Sequence, residues 1–232
     1  MSLWYLLLLP LVGATGIFVC KSTVSKWIAL FISTVVFVIS VLMAVQFSQW
    51  GNSSYGFISH VPWLNSLGIT LDVGVDSVAM LLVLLTTLLT PLCVWGSFSE
   101  ITSRKREYYA WLLILESAML GVFAAQDLIL FYVSFELTLL PMFFLIAIYG
   151  GKNRAHASIK FFIYTFTGSL FTLAGFVYVA WQYQVSQYGT WSFAIHDLTQ
   201  FAATMPPSEQ GWILLALLAG FAVKIPVFPL HT

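Results

Sequence analysis

Residues 127–149 have the sequence DLILFYVSFELTLLPMFFLIAIY. A helix that rises roughly 1.5 Å per residue needs about 20 apolar residues to cross a hydrocarbon core, and this run is long enough. A strand of a membrane barrel would be shorter and would alternate apolar with polar residues. Because lipid offers no water to unpaired backbone groups, the run predicts a transmembrane helix, with Glu136 near its middle and Pro141 five residues further on.

The composition extends this prediction to the whole chain. Of its 232 residues, 60% are hydrophobic, 17% are aromatic and 8% are charged, which excludes a soluble domain with a polar surface. The net charge is zero, so no nucleic acid or other charged partner is indicated. Cys20 and Cys93 fit no metal spacing, and the sequence has no dinucleotide fingerprint, phosphate loop or Cys-Xaa-Xaa-Cys cluster. We therefore expect no metal, nucleotide or iron–sulfur cluster in this chain.

Apolar windows long enough to span a bilayer predict an all-α polytopic membrane protein with about seven transmembrane helices. The first window is expected to be an uncleaved span, because Lys21 and Lys26 follow it and no basic residue precedes it. The windows are 2–20, 27–47, 76–98, 108–125, 127–149, 157–181 and 211–230.

The basic residues predict the orientation of the helices. Lys21 and Lys26, the cluster 104–106, and Lys152 with Arg154 fall in alternate connections, which by the positive-inside rule face the cytoplasm or its equivalent. The N-terminus is then outside. The outer connection 48–75 predicts a short interfacial segment or a hairpin, and Asp76 is placed to cap the third helix.

Ionisable residues at bilayer depth are the candidate functional groups, because each is costly there unless it is paired, hydrated or used. Glu136 lies roughly 14 Å along the fifth window and Lys224 about 20 Å along the seventh, so their depths overlap. Glu116 lies near the middle of the fourth window. Lys160 is close enough to a helix end to extend its ammonium to the headgroups.

Prolines interrupt the seventh window directly after its lysine. Pro226 and Pro229 follow Lys224 by two and five residues, which predicts a broken helix of the kind that lines ion paths. His231 is a candidate relay group beyond the break. The alternative is a simple proline kink, with Glu136 and Lys224 serving only as a polar link between helices.

Several strings give this chain a recognisable resemblance. It resembles the antiporter-like membrane subunits of respiratory complex I, in particular the M type, called subunit 4 in mitochondria. The matching strings are LGI at 67–69, GVD at 74–76, LILESAMLGVF at 113–123, DLILFY at 127–132, FEL at 135–137, PMFFLI at 141–146, KFFIYT at 160–165 and VKIPVFPLH at 223–231.

The resemblance implies a subunit of a proton-pumping NADH:quinone oxidoreductase, a translocase. Glu136 and Lys224 would form the pair central to proton translocation, with Glu116 as an additional carboxylate. NADH, FMN, the iron–sulfur clusters and quinone would belong to other subunits, so no redox chemistry is expected in this chain alone. The partners would be neighbouring antiporter-like subunits and the bilayer of an energy-coupling membrane, most simply a bacterial inner membrane.

The resemblance also implies a division of the chain. Residues 1–107 would hold the first three helices, and 108–232 an incomplete antiporter-like repeat, because family members have about fourteen helices including two inverted repeats. The sequence stops inside the seventh window, as expected for a truncated, split or partial chain. We expect Glu136 and Lys224 to exchange a proton as their pairing changes, with Glu116 extending the path and Lys160 linking it to the inner face.

Two alternatives remain open from the sequence. A subunit of a multi-subunit cation/proton antiporter or of a membrane-bound hydrogenase would carry similar charged helices. A seven-span scaffold or receptor would use Glu136 and Lys224 for structure alone.

Overall fold

The computed structural model describes residues 2–51, 54–64, 67–186, 189–225 and 227. These residues form nine α-helices and four short β-strands. The helices are α1 (Trp4–Val19), α2 (Ser22–Gln46), α3 (Ser77–Gly96), α4 (Lys105–Ala124), α5 (Leu128–Leu137), α6 (Leu139–Tyr149), α7 (Arg154–Ser186), α8 (Ile195–Ala202) and α9 (Pro207–Lys224). The strands are β1 (Gly56–Ser59), β2 (Pro62–Leu64), β3 (Ile69–Thr70) and β4 (Val73–Val75).

The predicted all-α membrane class is confirmed at the level of helix length and apolarity. Five helical stretches in the described chain are long and apolar enough to cross a membrane: α2, α3, α4, the combined α5 and α6, and α7. The apolar α1 is shorter, with 16 residues. Helix α9 has 18 residues and carries Glu209 and Lys224, which lower its apolar character.

The connection between α2 and α3 forms a nested hairpin, one of the two forms expected for it. Strand β1 pairs antiparallel with β4, and inside that pair β2 pairs antiparallel with β3. The hairpin leads directly into α3, where the Asp76 carboxylate accepts a 2.7 Å hydrogen bond from the Ala79 amide. The predicted helix cap at Asp76 is therefore confirmed.

The turn between α4 and α5 joins this hairpin to the segment before α8. The Gln126 amide donates to the Asp72 carbonyl at 2.8 Å, and the Leu128 amide donates to the Phe193 carbonyl at 2.8 Å. In the other direction, the Ile195 amide donates to the Gln126 carbonyl at 2.9 Å. These three connections, 56–75, 125–128 and 193–195, form one hydrogen-bonded layer, which we call the connector layer.

Asp127 anchors α5 in the connector layer. It is fully buried, and its carboxylate accepts hydrogen bonds from the Ile129 and Leu130 amides at 2.8 and 3.2 Å. Burial raises the pKa of the Asp127 carboxyl, and the two amide hydrogen bonds act in the opposite direction. Helix α5 thus begins at a fixed point, because two of its free amides are satisfied there.

Helix α4 is the centre of the bundle and packs against α1, α2, α3, α5 and α6. Its buried face includes Tyr109, Leu113, Glu116 and Leu120. The Ser117 hydroxyl donates to the Leu7 carbonyl of α1 at 2.5 Å. Lipid gives no hydrophobic driving force between helices, so close packing and such polar contacts hold the bundle together.

The basic connections meet at the opposite end of the helices. The Tyr149 hydroxyl donates to the Arg104 carbonyl at 2.7 Å, and the Lys26 ammonium lies 4.9 Å from the centroid of the Phe98 ring. Arg104 forms an ion pair with Glu107, and the hydrogen bond to Glu107 raises the pKa of the Arg104 guanidinium. The three connections that the sequence assigned to one side therefore lie together.

Candidate functional site

The membrane stretch that holds Glu136 is interrupted at Thr138. Helix α5 ends at Leu137, and α6 begins at Leu139. Pro141 explains the interruption, because it has no amide hydrogen for the Leu137 carbonyl and its ring crowds that carbonyl. Glu136 is therefore the second-to-last residue of α5 instead of a residue inside a continuous helix.

The Phe135 carbonyl at this interruption accepts a hydrogen bond from Lys224. The Lys224 ammonium, in the last residue of α9, donates to it at 2.9 Å. The Thr138 hydroxyl donates to the same carbonyl at 2.7 Å. A carbonyl inside a regular helix is already occupied by the amide four residues on, so the interruption gives Lys224 an acceptor in the backbone of α5.

Glu136 is the second acceptor within reach of Lys224. Its Oε1 atom lies 3.9 Å from the Lys224 ammonium, which is within ion-pair range and beyond hydrogen-bond range. Each of the two side chains is 17% exposed. The structure thus brings together the two residues that the sequence suggested as a pair, with the lysine held more closely by the Phe135 carbonyl than by the carboxylate.

Aromatic rings enclose the contact. The Lys224 ammonium lies 3.1 Å from the centroid of the Phe135 ring, and that ring packs edge-on against Phe221 with centroids 5.8 Å apart. Phe131 stacks on Phe135 with ring centroids 5.7 Å apart. Glu136 Oε1 is buried and has no hydrogen-bond partner among the described residues. In such surroundings, the free energy of an ionised Glu136 carboxylate depends on its distance from the Lys224 ammonium, because few other groups compensate its negative charge.

Glu116 lies elsewhere in the bundle. It is 1% exposed on α4, and Thr90 of α3 is the hydroxyl residue beside its carboxyl group. Neither carboxylate oxygen has a regular hydrogen-bond partner in the part of the chain that the structure describes. Within that part, Glu136 and not Glu116 forms the ion pair with Lys224.

Among the remaining predicted site residues, the structure describes Lys160. Lys160 is exposed near the beginning of α7. Pro226, Pro229 and His231 lie outside the described residues. The end of α9 is described as far as Ile225, whose amide donates to the Phe221 carbonyl at 2.9 Å, and the Val227 amide donates to the Ala222 carbonyl at 3.0 Å.

Two features of the site were not anticipated from the sequence, namely the Phe135 carbonyl and the Thr138 hydroxyl. The one sequence signal for them is the spacing of Thr138 and Pro141 within an apolar stretch. Within the described ranges, no group of three or more His, Cys, Asp or Glu residues is arranged to hold a metal ion.

A lysine and a glutamate that meet at two helix ends inside an apolar bundle are features of a membrane protein that handles ions. The family described as "NADH:quinone oxidoreductase/Mrp antiporter, TM" matches residues 125–232, which include both groups. The chain belongs to this family of antiporter-like membrane subunits.

Curated relatives and solved structures give the comparison more detail. The chain is 35% identical to NADH-quinone oxidoreductase subunit M of Rickettsia conorii, over 89% of this chain and 40% of that protein. It superposes on a chain of respiratory complex I from Thermus thermophilus with a TM-score of 0.84 and 26% identity, over 99% of this chain and 45% of that one.

The fold is also shared with an antiporter. A chain of the Mrp complex from a Dietzia species superposes with a TM-score of 0.79 and 17% identity, over 96% of this chain and 23% of that one, a likeness that concerns the fold alone. The chain spans about 40% of the length of the curated relatives that it matches.

Proposed function

We propose that this chain is a membrane subunit of an NADH:quinone oxidoreductase and takes part in proton translocation driven by electron transfer from NADH to quinone. The relatives named subunit M support this assignment. The observation that carries the mechanism is the Lys224 ammonium, which lies 2.9 Å from the Phe135 carbonyl and 3.9 Å from the Glu136 carboxylate.

In the proposed mechanism, Lys224 moves between these two acceptors. At 3.9 Å and an effective dielectric constant of about 20, the ammonium stabilises the ionised carboxylate by about 4 kcal/mol. In direct contact with the carboxylate, at about 2.8 Å, the same interaction rises to about 6 kcal/mol. When the ammonium moves away, the Glu136 carboxylate therefore takes up a proton more readily, and it releases that proton when Lys224 returns. Glu116 would extend the path through α4, and Lys160 would connect it to the basic end.

The proposal includes a finer topology. The chain would cross the membrane seven times, with α1 as the first span and α9 as the seventh. Its N-terminus would lie outside. The basic connections that meet at one end support this orientation. The seventh helix would be broken at Pro226, and residues 108–232 would form part of an antiporter-like repeat that packs on the helices of 1–107.

The rest of the proposed enzyme lies in other chains. NADH, FMN, the iron–sulfur clusters and quinone would be bound by other subunits, and neighbouring antiporter-like subunits would contact this one in a bacterial inner membrane. The relatives from bacterial species support that location.

The test is proton pumping by the assembled complex with Glu136→Gln or Lys224→Ala. Inverted membrane vesicles are given NADH, and the protons moved per NADH oxidised are measured. We expect both variants to lower this ratio, while the exposed Glu100→Gln leaves it unchanged. An unaltered ratio in both variants would refute the proposed roles of the pair.

A cation/proton antiporter subunit is the second candidate, since the Mrp complex has the same fold. Exchange of sodium for protons in vesicles without NADH would favour the antiporter. Full activity after replacement of both Glu136 and Lys224 by apolar residues would instead favour a structural scaffold.

A further inference from the structure

Helices α7 and α9 come into backbone contact one turn before Lys224. Gly220 is buried at this crossing. A Cβ atom added to Gly220 would overlap the Thr172 hydroxyl and would lie 2.8 Å from the Gly168 carbonyl oxygen. On the other side, a Cβ on Gly168 would lie 2.9 Å from the Cβ of Val223. The two helices are therefore as close as two glycines allow.

This contact fixes the position of the residue that follows it. Val223, which packs on Gly168, is the neighbour of Lys224, and Gly220 precedes Lys224 by one helical turn. From that position the lysine side chain reaches the Phe135 carbonyl of α5. The Thr172 hydroxyl at the crossing is buried without a hydrogen-bond partner among the described residues, so it does not itself fasten the two helices together.

We infer that Gly220 is a positioning residue for Lys224: the absence of a side chain at Gly220 sets the distance of α9 from α7 and thereby places the ammonium between Phe135 and Glu136. This inference rests on the proposed role of the Lys224–Glu136 pair.

The displacement that an alanine would cause can be read from the structure. The Thr172 side chain can rotate away, but the Gly168 carbonyl belongs to the helix backbone and cannot. The 2.8 Å contact is 0.6 Å inside the 3.4 Å at which ordinary Cβ contacts begin. A shift of that size at Gly220 moves the 2.9 Å hydrogen bond of Lys224 to the limit of hydrogen-bond distance.

The test compares Gly220→Ala with Gly211→Ala in the assembled complex. Both changes add one methyl group to α9 and raise helix propensity equally, but no described residue lies within 4 Å of a Cβ at Gly211. We expect Gly220→Ala to lower proton pumping per NADH by roughly tenfold, the factor for loss of one charge-assisted hydrogen bond, while Gly211→Ala pumps normally. Both variants should assemble, as checked by the subunit content of the purified complex.

A spectroscopic measurement separates positioning from stability. The infrared carboxyl band of Glu136, identified by its loss in Glu136→Gln, should shift in Gly220→Ala and stay in place in Gly211→Ala. An unshifted band, or normal pumping by Gly220→Ala, overturns the inference.

The outcomes also separate this inference from the proposed function. If Glu136→Gln and Lys224→Ala impair pumping and Gly220→Ala does not, the inference about Gly220 fails alone. If neither of those two variants impairs pumping, the proposed function of the pair fails.

Discussion

Replacing Pro141 by alanine should weaken the proton pump while leaving the stability of the membrane bundle nearly unchanged. Alanine restores an amide hydrogen at position 141, so the Leu137 carbonyl gains a donor and α5 can continue into α6 across Thr138. In the continuous helix, the Leu139 amide would occupy the Phe135 carbonyl. Lys224 would then lose the acceptor that now lies 2.9 Å from its ammonium.

The two effects can be compared in magnitude. A proline inside a helix costs about 3 kcal/mol relative to alanine, and loss of the buried ring returns about 1 kcal/mol of that gain as a small cavity. The lost hydrogen bond from the charged lysine is worth about 1.5–3 kcal/mol. The net change in stability then lies between a gain of about 0.5 kcal/mol and a loss of about 1 kcal/mol, so stability should stay nearly level, whereas occupancy of the Phe135 carbonyl by Lys224 should fall at least about tenfold.

The assay measures NADH-driven proton uptake by inverted vesicles together with the thermal unfolding of the purified complex. Pro10→Ala is the matched control, because it also removes a buried helical proline, in α1, which packs against α2 and α4. We expect Pro141→Ala to pump less at a nearly unchanged melting temperature. Normal pumping by a stable Pro141→Ala complex would show that the Phe135 carbonyl does not matter to the function.

Two further predictions concern buried carboxylates. Glu116→Gln should preserve assembly and lower pumping per NADH severalfold, because the amide keeps the shape but cannot ionise; equal pumping in this variant and the wild type would remove Glu116 from the path. Asp127→Ala should destabilise the complex by about 1 kcal/mol through loss of the α5 cap, whereas Asp127→Asn should keep it. Burial raises the pKa of the Asp127 carboxyl above its ordinary value of 3.8, so the folded protein keeps this proton to a higher pH than the unfolded chain does. Wild-type stability should therefore decrease as the pH rises from 3.8 through the raised pKa of the folded protein. Melting curves recorded between about pH 4 and 7 should show no such decrease in stability for Asp127→Asn. If the stability of both proteins changes equally with pH, this prediction is wrong.

The sequence was sufficient where local chemistry decides the structure. Apolar length predicted the five long membrane stretches, and Asp76 marked the start of α3 because a carboxylate before a helix satisfies its free amides. The hairpin between α2 and α3 is one of the two forms that the sequence predicted for that connection. These features depend on residues close together in the chain.

The site depended on contacts that sequence patterns do not record. Overlapping depths in the membrane suggested Glu136 as the partner of Lys224, but the nearer acceptor is the Phe135 carbonyl. Every residue has a backbone carbonyl, so the sequence does not mark this one. The Phe135 carbonyl is available because Pro141 interrupts the helix, and Lys224 reaches it because of the place where α7 and α9 cross. The burial of Asp127 was not predicted from the sequence, because it depends on the hairpin and on the segment before α8.

The connector layer makes the two ends of this bundle unequal as places to modify the chain. Residues 125–128 are hydrogen-bonded to two other connections at once, so an epitope tag inserted there would separate backbone partners in both. At the basic end, none of the residues that the structure describes lies within 4 Å of a Cβ at Gly151, between α6 and α7. Labels for mapping the topology of this protein are therefore best placed at Gly151, where the chain can lengthen without disturbing the start of the helix that carries Glu136.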